Sequence, residues 1–150
     1  MIAIGSDHGG FELKEEIKKY LNELNIPYTD VGPFNDERTD YPIYAEKVAK
    51  LIQSGEADNG ILCCKSGAGM VIAANKFDGI RATIGFSEDV TRAAKADDNV
   101  NVLVLAAWHI NVSEAVKIVR TWIATEFKGG RYQERLQMIN EIEQREKNRG

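Results

Sequence analysis

Five alternations of a short apolar run with a helical stretch predict a three-layer α/β/α, Rossmann-like domain. It would hold a five-stranded parallel sheet covered on both faces, with an extra C-terminal helix. Three observations carry this expectation. The strand-like runs are short and almost wholly apolar, as in strands buried on both sides. The stretches between them place apolar residues at helical spacing. Glycine, proline and small polar residues punctuate the junctions. A length of 150 residues suits a single domain over 1–150.

The first strand reads as Ile2-Ala3-Ile4-Gly5. A helix follows, with apolar residues at Phe11, Leu13, Ile17, Tyr20, Leu21 and Leu24. Pro27 to Val31 is the second strand, closed by Gly32-Pro33. A loop runs to Tyr41-Pro42, and Ala45, Val48, Ala49 and Ile52 then mark a helix that stops at Gly55. Gly60 to Cys64 is the third strand, running into the turn Lys65-Ser66-Gly67-Ala68-Gly69 and a small-residue helix from Met70 to Asn75. Arg81 to Ile84 is the fourth strand, and Ser87 can cap a helix through Ala96. Val102 to Ala106 is the fifth. Ser113 with Glu114 can start the helix that carries Ile118, Val119 and Trp122. The tail from Tyr132 to about Lys147 is a charged helix with an apolar stripe at Leu136, Ile139 and Ile142.

The composition is 43% hydrophobic and 28% charged, with a net charge of -4, as in a soluble globular chain. An acidic balance disfavours nucleic acid as a partner, since phosphate backbones need a concentrated basic face. No apolar run approaches a membrane span, and the N-terminus lacks a basic leader, so a cytoplasmic protein is expected. Cys63 and Cys64 are adjacent and unsuited to a structural disulfide. The two cysteines with His8 and His109 show no metal-ligand spacing, so no metal is expected.

Parallel sheets bind ligands beyond the C-terminal ends of their strands, where the strand order reverses. That rule selects Ser6 to Gly10, Cys64 to Gly69, and the turn near Trp108 and His109. Cys64 stands before a helix N-terminus, whose free N–H groups hold anions and lower a thiol's pKa. A base beside such donors suits removal of a proton next to a carbonyl. The spacing alone fits a buried strand cysteine equally well. Cys63 points the other way and reads as core. Asp7 can accept hydrogen bonds from sugar hydroxyls, and His8 can donate to a phosphate. Arg131 and Arg135 share a helix face and can clamp a phosphate, or form a solvated face with Glu134. Asp97-Asp98-Asn99 can bind a polyol or simply end a helix.

A dinucleotide site is disfavoured. The first turn lacks Gly-x-Gly-x-x-Gly, and the later one has Ile72 at the third position. A phosphatase loop of Cys-x5-Arg form is excluded by Met70.

Taken in order, these segments resemble the ribose-5-phosphate isomerase B and galactose-6-phosphate isomerase family of sugar-phosphate isomerases. The resemblance covers nearly the whole chain. It rests on Ile4 to Gly10, Asp40-Tyr41-Pro42, Cys64 to Gly69 leading into Ile72 to Lys76, Gly79 to Ala82, Asn101-Val102-Leu103, and Phe127 to Arg131. It implies an aldose-ketose isomerase, most simply of ribose 5-phosphate and ribulose 5-phosphate, working through an enediolate. By the same resemblance Cys64 is the base, and Ser66 assists the proton transfer. Gly67, Ala68 and Gly69 offer N–H groups to the anion. Asp7 and Tyr41 meet sugar hydroxyls, and His8, Arg131 and Arg135 meet the phosphate. No cofactor is implied. A homodimer or homotetramer with shared active sites is implied, the C-terminal arginines serving the neighbouring chain.

The chain departs from that pattern at three places. Asp97 and Asp98 stand where the family has a ring-opening His and an Asn, so Asp97 becomes the candidate catalytic group and Asp98 a candidate substrate ligand. Ala106-Ala107-Trp108 stands where the family often has Gly-Glu-Arg. Lys65 replaces a glycine. Lys65 or His109 can supply the missing charge. The departures leave room for a tetrose 4-phosphate, which needs no ring opening, for a hexose 6-phosphate, or for a non-catalytic sugar-phosphate-binding subunit.

Overall fold

The computed structural model describes residues 1–149. The strands are β1 (Ile2–Ser6), β2 (Tyr28–Gly32), β3 (Asn59–Cys64), β4 (Ala82–Ile84) and β5 (Val102–Ala106). The helices are α1 (Phe11–Glu23), α2 (Tyr41–Gln53), α3 (Ala68–Ala74), α4 (Glu88–Asp98), α5 (Val112–Ala124) and α6 (Arg131–Lys147). All pairings are parallel, in the order β2-β1-β3-β5-β4. The expected three-layer architecture is therefore present. Among the described residues no helix is long and apolar enough to cross a membrane.

Strand alternation sorts the core into two layers. Ile4, Ile61, Cys63, Leu103 and Leu105 face α1 and α5, where Trp122 is fully buried and donates its Nε1–H to Val100 O at 3.1 Å. Ala3, Leu62, Cys64, Val102 and Val104 face α2 and α3. The two cysteines thus point to opposite layers. Register aligns the strand ends that matter: Ser6 lies opposite Cys63, and Cys64 opposite Ala106. The chain leaves β1 towards β2 on one side and returns to β3 on the other, so the strand order reverses between β1 and β3.

Several local expectations are corrected. Leu24 is exposed, because α1 ends at Glu23, and the buried place in that helix goes instead to Lys14. Lys14 Nζ lies 2.8 Å from both Asp30 carboxylate oxygens and 2.7 Å from Pro33 O. Asp30 also accepts from Lys18 Nζ and from Gly32 N–H. Asn111, not Ser113, caps α5, accepting from Glu114 N–H at 2.8 Å. Ser87 caps α4 as expected, accepting from Val90 N–H at 3.2 Å. On α6 only Leu136 is buried; Met138, Ile139 and Ile142 face outwards.

Candidate active site

Three turns meet where β1, β3 and β5 end. The first carries Asp7 and His8. Asp7 is buried, and its Oδ1 accepts from Gly10 N–H at 2.9 Å. That bond bends the chain into α1 and leaves Oδ2 for a ligand hydroxyl. Gly10 is obligatory here. A Cβ would lie 2.2 Å from Cys63 O, so the start of α1 rests directly on the end of β3. Thr39 holds the His8 ring, its N–H donating to Nδ1 at 3.2 Å with its carbonyl oxygen 3.1 Å from the same nitrogen. Both contacts use Nδ1 and leave Nε2 free to face a ligand, where it donates in the tautomer whose Nδ1 accepts from Thr39 N–H.

The second turn follows Cys64. Gly67 takes a left-handed φ of 85°, which folds the chain back so that its N–H donates to Cys64 Sγ at 3.2 Å. The Met70 N–H, in the first turn of α3, also favours the charged form of the sulfur. The N–H groups of Ala68 and Gly69, in the first turn of α3, have no helical carbonyl to bond. Ser66 is exposed, and its Oγ accepts weakly from Ala68 N–H at 3.4 Å. Tyr41, at the start of α2, lays its ring on Gly69, where a Cβ would lie 2.5 Å from Tyr41 Cε1. A side chain at position 69 would displace that ring.

Cys64 is nearly covered, at 4% exposure. Burial, the largest influence, pushes its thiol above the ordinary value of 9.0. The Gly67 and Met70 amides pull it down and the Asp7 charge adds to the rise. This corrects the expectation of a depressed thiol. Desolvation of the anion outweighs the amide field, so the free chain holds a protonated Cys64 at neutral pH. Cys63 is fully buried in the opposite layer, and burial raises its thiol strongly.

The third turn follows β5. Ala107 N–H donates to Cys64 O at 2.7 Å and Trp108 N–H to Lys65 O at 3.1 Å, extending the β3–β5 pairing beyond the sheet. Lys65 Nζ lies 4.7 Å from the Trp108 ring centroid. His109 is exposed.

Asp7, His8, Tyr41, Cys64, Ser66, Gly67, Ala68 and Gly69 are thus brought to one rim. Asp97, Asp98, Arg131 and Arg135 are not. α4 returns from the end of β4 to the start of β5, so its last residues lie at the opposite rim, about 13 Å of strand away. There Lys128 Nζ sits 2.8 Å from Asp97 Oδ1, and Lys128 N–H donates to Ala96 O. Its hydrogen bond to the Asp97 carboxylate raises the Lys128 ammonium above its ordinary pKa. Lys128, Arg131 and Arg135 surround the Tyr132 ring at 4.9, 5.4 and 5.5 Å. A hydrogen bond from Arg131 and the Lys128 charge hold the Tyr132 phenol below its ordinary value. Asp98 is exposed at the end of α4.

Sequence reasoning missed Thr39 and the Met70 amide. Main-chain contacts across 31 residues leave no side-chain signature, and Met70 reads only as a helix residue.

A family model for ribose/galactose isomerases matches residues 2–139. Ribose-5-phosphate isomerase B of Escherichia coli (strain K12) is 42% identical over 144 residues, covering 96% of this chain and 97% of the relative. A ribose 5-phosphate isomerase structure from Thermotoga maritima superposes with a TM-score of 0.91 at 47% identity, covering 93% of this chain and 97% of that one. The Mycoplasma genitalium ribose-5-phosphate isomerase B structure, which holds ribulose-5-phosphate, superposes with a TM-score of 0.89 at 39% identity, covering 95% of each chain.

Proposed function

The chain belongs to the ribose/galactose isomerase family, and on that premise we propose that it interconverts ribose 5-phosphate and ribulose 5-phosphate by cysteine-mediated proton transfer. The observation that carries this reading is the Cys64 sulfur held by the Gly67 main-chain N–H at 3.2 Å, at the start of α3 and on the same rim as Asp7. Unprotonated Cys64 removes the proton from C2 of the open aldose. The C2–H electron pair forms a C1–C2 double bond, and the carbonyl π pair moves onto O1. The amides of α3's first turn meet that oxyanion. The O2 hydrogen passes to O1 with Ser66 as relay, and Cys64 returns its proton to C1. No oxidant or reductant enters, so no redox cofactor is called for. Asp7 and Tyr41 orient the hydroxyls, and His8 Nε2–H meets the phosphate. The substrate is a dianion that does not cross bilayers unaided, which supports a cytoplasmic setting.

Turnover in deuterated water tests this reading. Ribose 5-phosphate recovered from the parent protein should carry deuterium at C2, with none entering at C3 or C4. Ribose 5-phosphate that stays free of deuterium at C2 through many turnovers would argue against an exchangeable thiol as the proton carrier.

The two rims support a homodimer with shared sites. The Lys128, Arg131 and Arg135 cluster suits a phosphate but lies remote from its own Cys64, and the exposed Met138, Ile139 and Ile142 of α6 offer an apolar face for a second copy. Co-refolding Cys64→Ala with Arg131→Ala should therefore restore about a quarter of parental activity, through mixed dimers with one intact site. Activity no higher than the sum of the two variants would overturn sharing. Asp97 Oδ1 is engaged by the Lys128 ammonium at 2.8 Å, and a carboxylate stands where the family has its ring-opening imidazole. That observation favours a second reading, an open-chain tetrose 4-phosphate as the better substrate.

A further inference from the structure

Lys65 is the side chain at the reactive rim that the mechanism leaves unused. Its stem lies across the first turn. A Cβ on Gly9, next to His8, would come within 2.3 Å of Lys65 Cγ and 2.7 Å of its Cε. Its ammonium rests over the Trp108 face at 4.7 Å, although the indole is 67% exposed. The bond from Trp108 N–H to Lys65 O fixes the shelf relative to the residue it supports. Lys65 has no carboxylate within ion-pair distance among the described residues, which it shares with Lys47, Lys50, Lys76, Lys95 and Lys117, but of these it alone lies at the rim where β1, β3 and β5 end.

A flexible lysine normally spends its rotamer freedom in water. Here the stem is pinned by a glycine floor and the head by an aromatic plane, which keeps an unneutralised charge beside the His8 turn. An aromatic face orients an ammonium without neutralising it, and an anion can approach from the open side. Glu12, Glu15 and Glu16 line the neighbouring cleft of about 630 Å³, yet none of them closes onto this ammonium.

We propose that Lys65 is a substrate-binding residue for the phosphate end of the sugar, acting with His8, and that Trp108 is its positioning residue. This rests on the isomerase reading above. The ammonium binds the phosphate equally in ground and transition states, so its loss falls on KM more than on kcat.

Lys65→Met should raise KM for ribose 5-phosphate and the inhibition constant of inorganic phosphate together, each about tenfold. Lys65→Arg should restore both to near the parental values. Trp108→Leu should raise both by about threefold, and Trp108→Phe by less, since a ring remains. Parental KM and phosphate inhibition in Lys65→Met would overturn the proposal. So would a loss of kcat at unchanged KM, which would place Lys65 in the chemical step. Direct titration of parent and Lys65→Met with inorganic phosphate separates the two hypotheses. Phosphate binding that weakens with Lys65→Met upholds the assignment even if ribose 5-phosphate proves not to be turned over. Equal binding overturns it.

Discussion

Replacing Cys64 with alanine is expected to lower kcat by about 10²- to 10⁴-fold, the range over which a positioned general base accelerates proton abstraction. The loss should come without unfolding. The side chain is small, and the main-chain bonds that shape its turn remain: Ala107 N–H to Cys64 O and Val71 N–H to Gly67 O. Circular dichroism and the deuterium exchange assay, run on the same preparation, check both halves. Parental exchange in Cys64→Ala would remove the sulfur from the mechanism. The parent's pH profile gives a second check. Burial raises the thiol above 9.0, so the basic form is scarce at neutral pH and grows about tenfold per pH unit below that pKa. The sign is therefore positive: kcat/KM should climb from pH 6.5 towards pH 9. A profile flat across that range would exclude a rate limited by this thiol's ionisation.

The largest loss of stability is expected from Lys14→Met. Lys14 is wholly buried, with its ammonium on Asp30 and Pro33 O. Removing one partner of a buried ion pair strands the other and costs about 3–5 kcal/mol. Lys18 stays on Asp30, which favours the lower end, so a fall in Tm of about 10 °C is expected by thermal melting. A shift under about 2 °C would show that the pair contributes little. The same pair makes the parent acid-labile. Burial alone would raise the Asp30 carboxyl, but hydrogen bonds from Lys14, Lys18 and Gly32 N–H outweigh it and hold it below the ordinary 3.8. A depressed carboxyl contributes stability above its unfolded value, and that stability is lost as the pH falls through the lower folded value. The parent should thus lose more stability than Lys14→Met between about pH 4 and pH 2. Pro33 O tethers the loop that carries Thr39, and Thr39 holds His8. A raised KM in Lys14→Met would report that chain of contacts.

Much of the fold was legible because its signals are local. Short apolar runs such as Val102 to Ala106 have few alternatives, and Ser87 announces α4 by the hydroxyl it offers to Val90 N–H. The opposite facing of Cys63 and Cys64 followed from strand alternation alone. Lys14 was not legible, because a lysine on a helix reads as solvated until a partner on β2 faces it. The thiol's direction was misjudged for a related reason. The amides were visible in the Gly67 turn, but the extent of burial depends on packing by α2 and α3. Asp97 lies at the rim opposite Cys64, a separation that depends on where the sheet places the two ends of its strands and that no local pattern in the sequence expresses. The contact between Lys65 and Trp108, 43 positions apart, needed the registry of β3 with β5.

The main-chain bonds that run past the ends of β3 and β5 have one more consequence. They order the Cys64 turn at the moment the chain folds, together with its neighbours Lys65 and Trp108. The conformational entropy of aligning those dipoles is therefore lost once, in folding, and not again with each sugar that arrives. A loop built this way has little freedom to act as a lid.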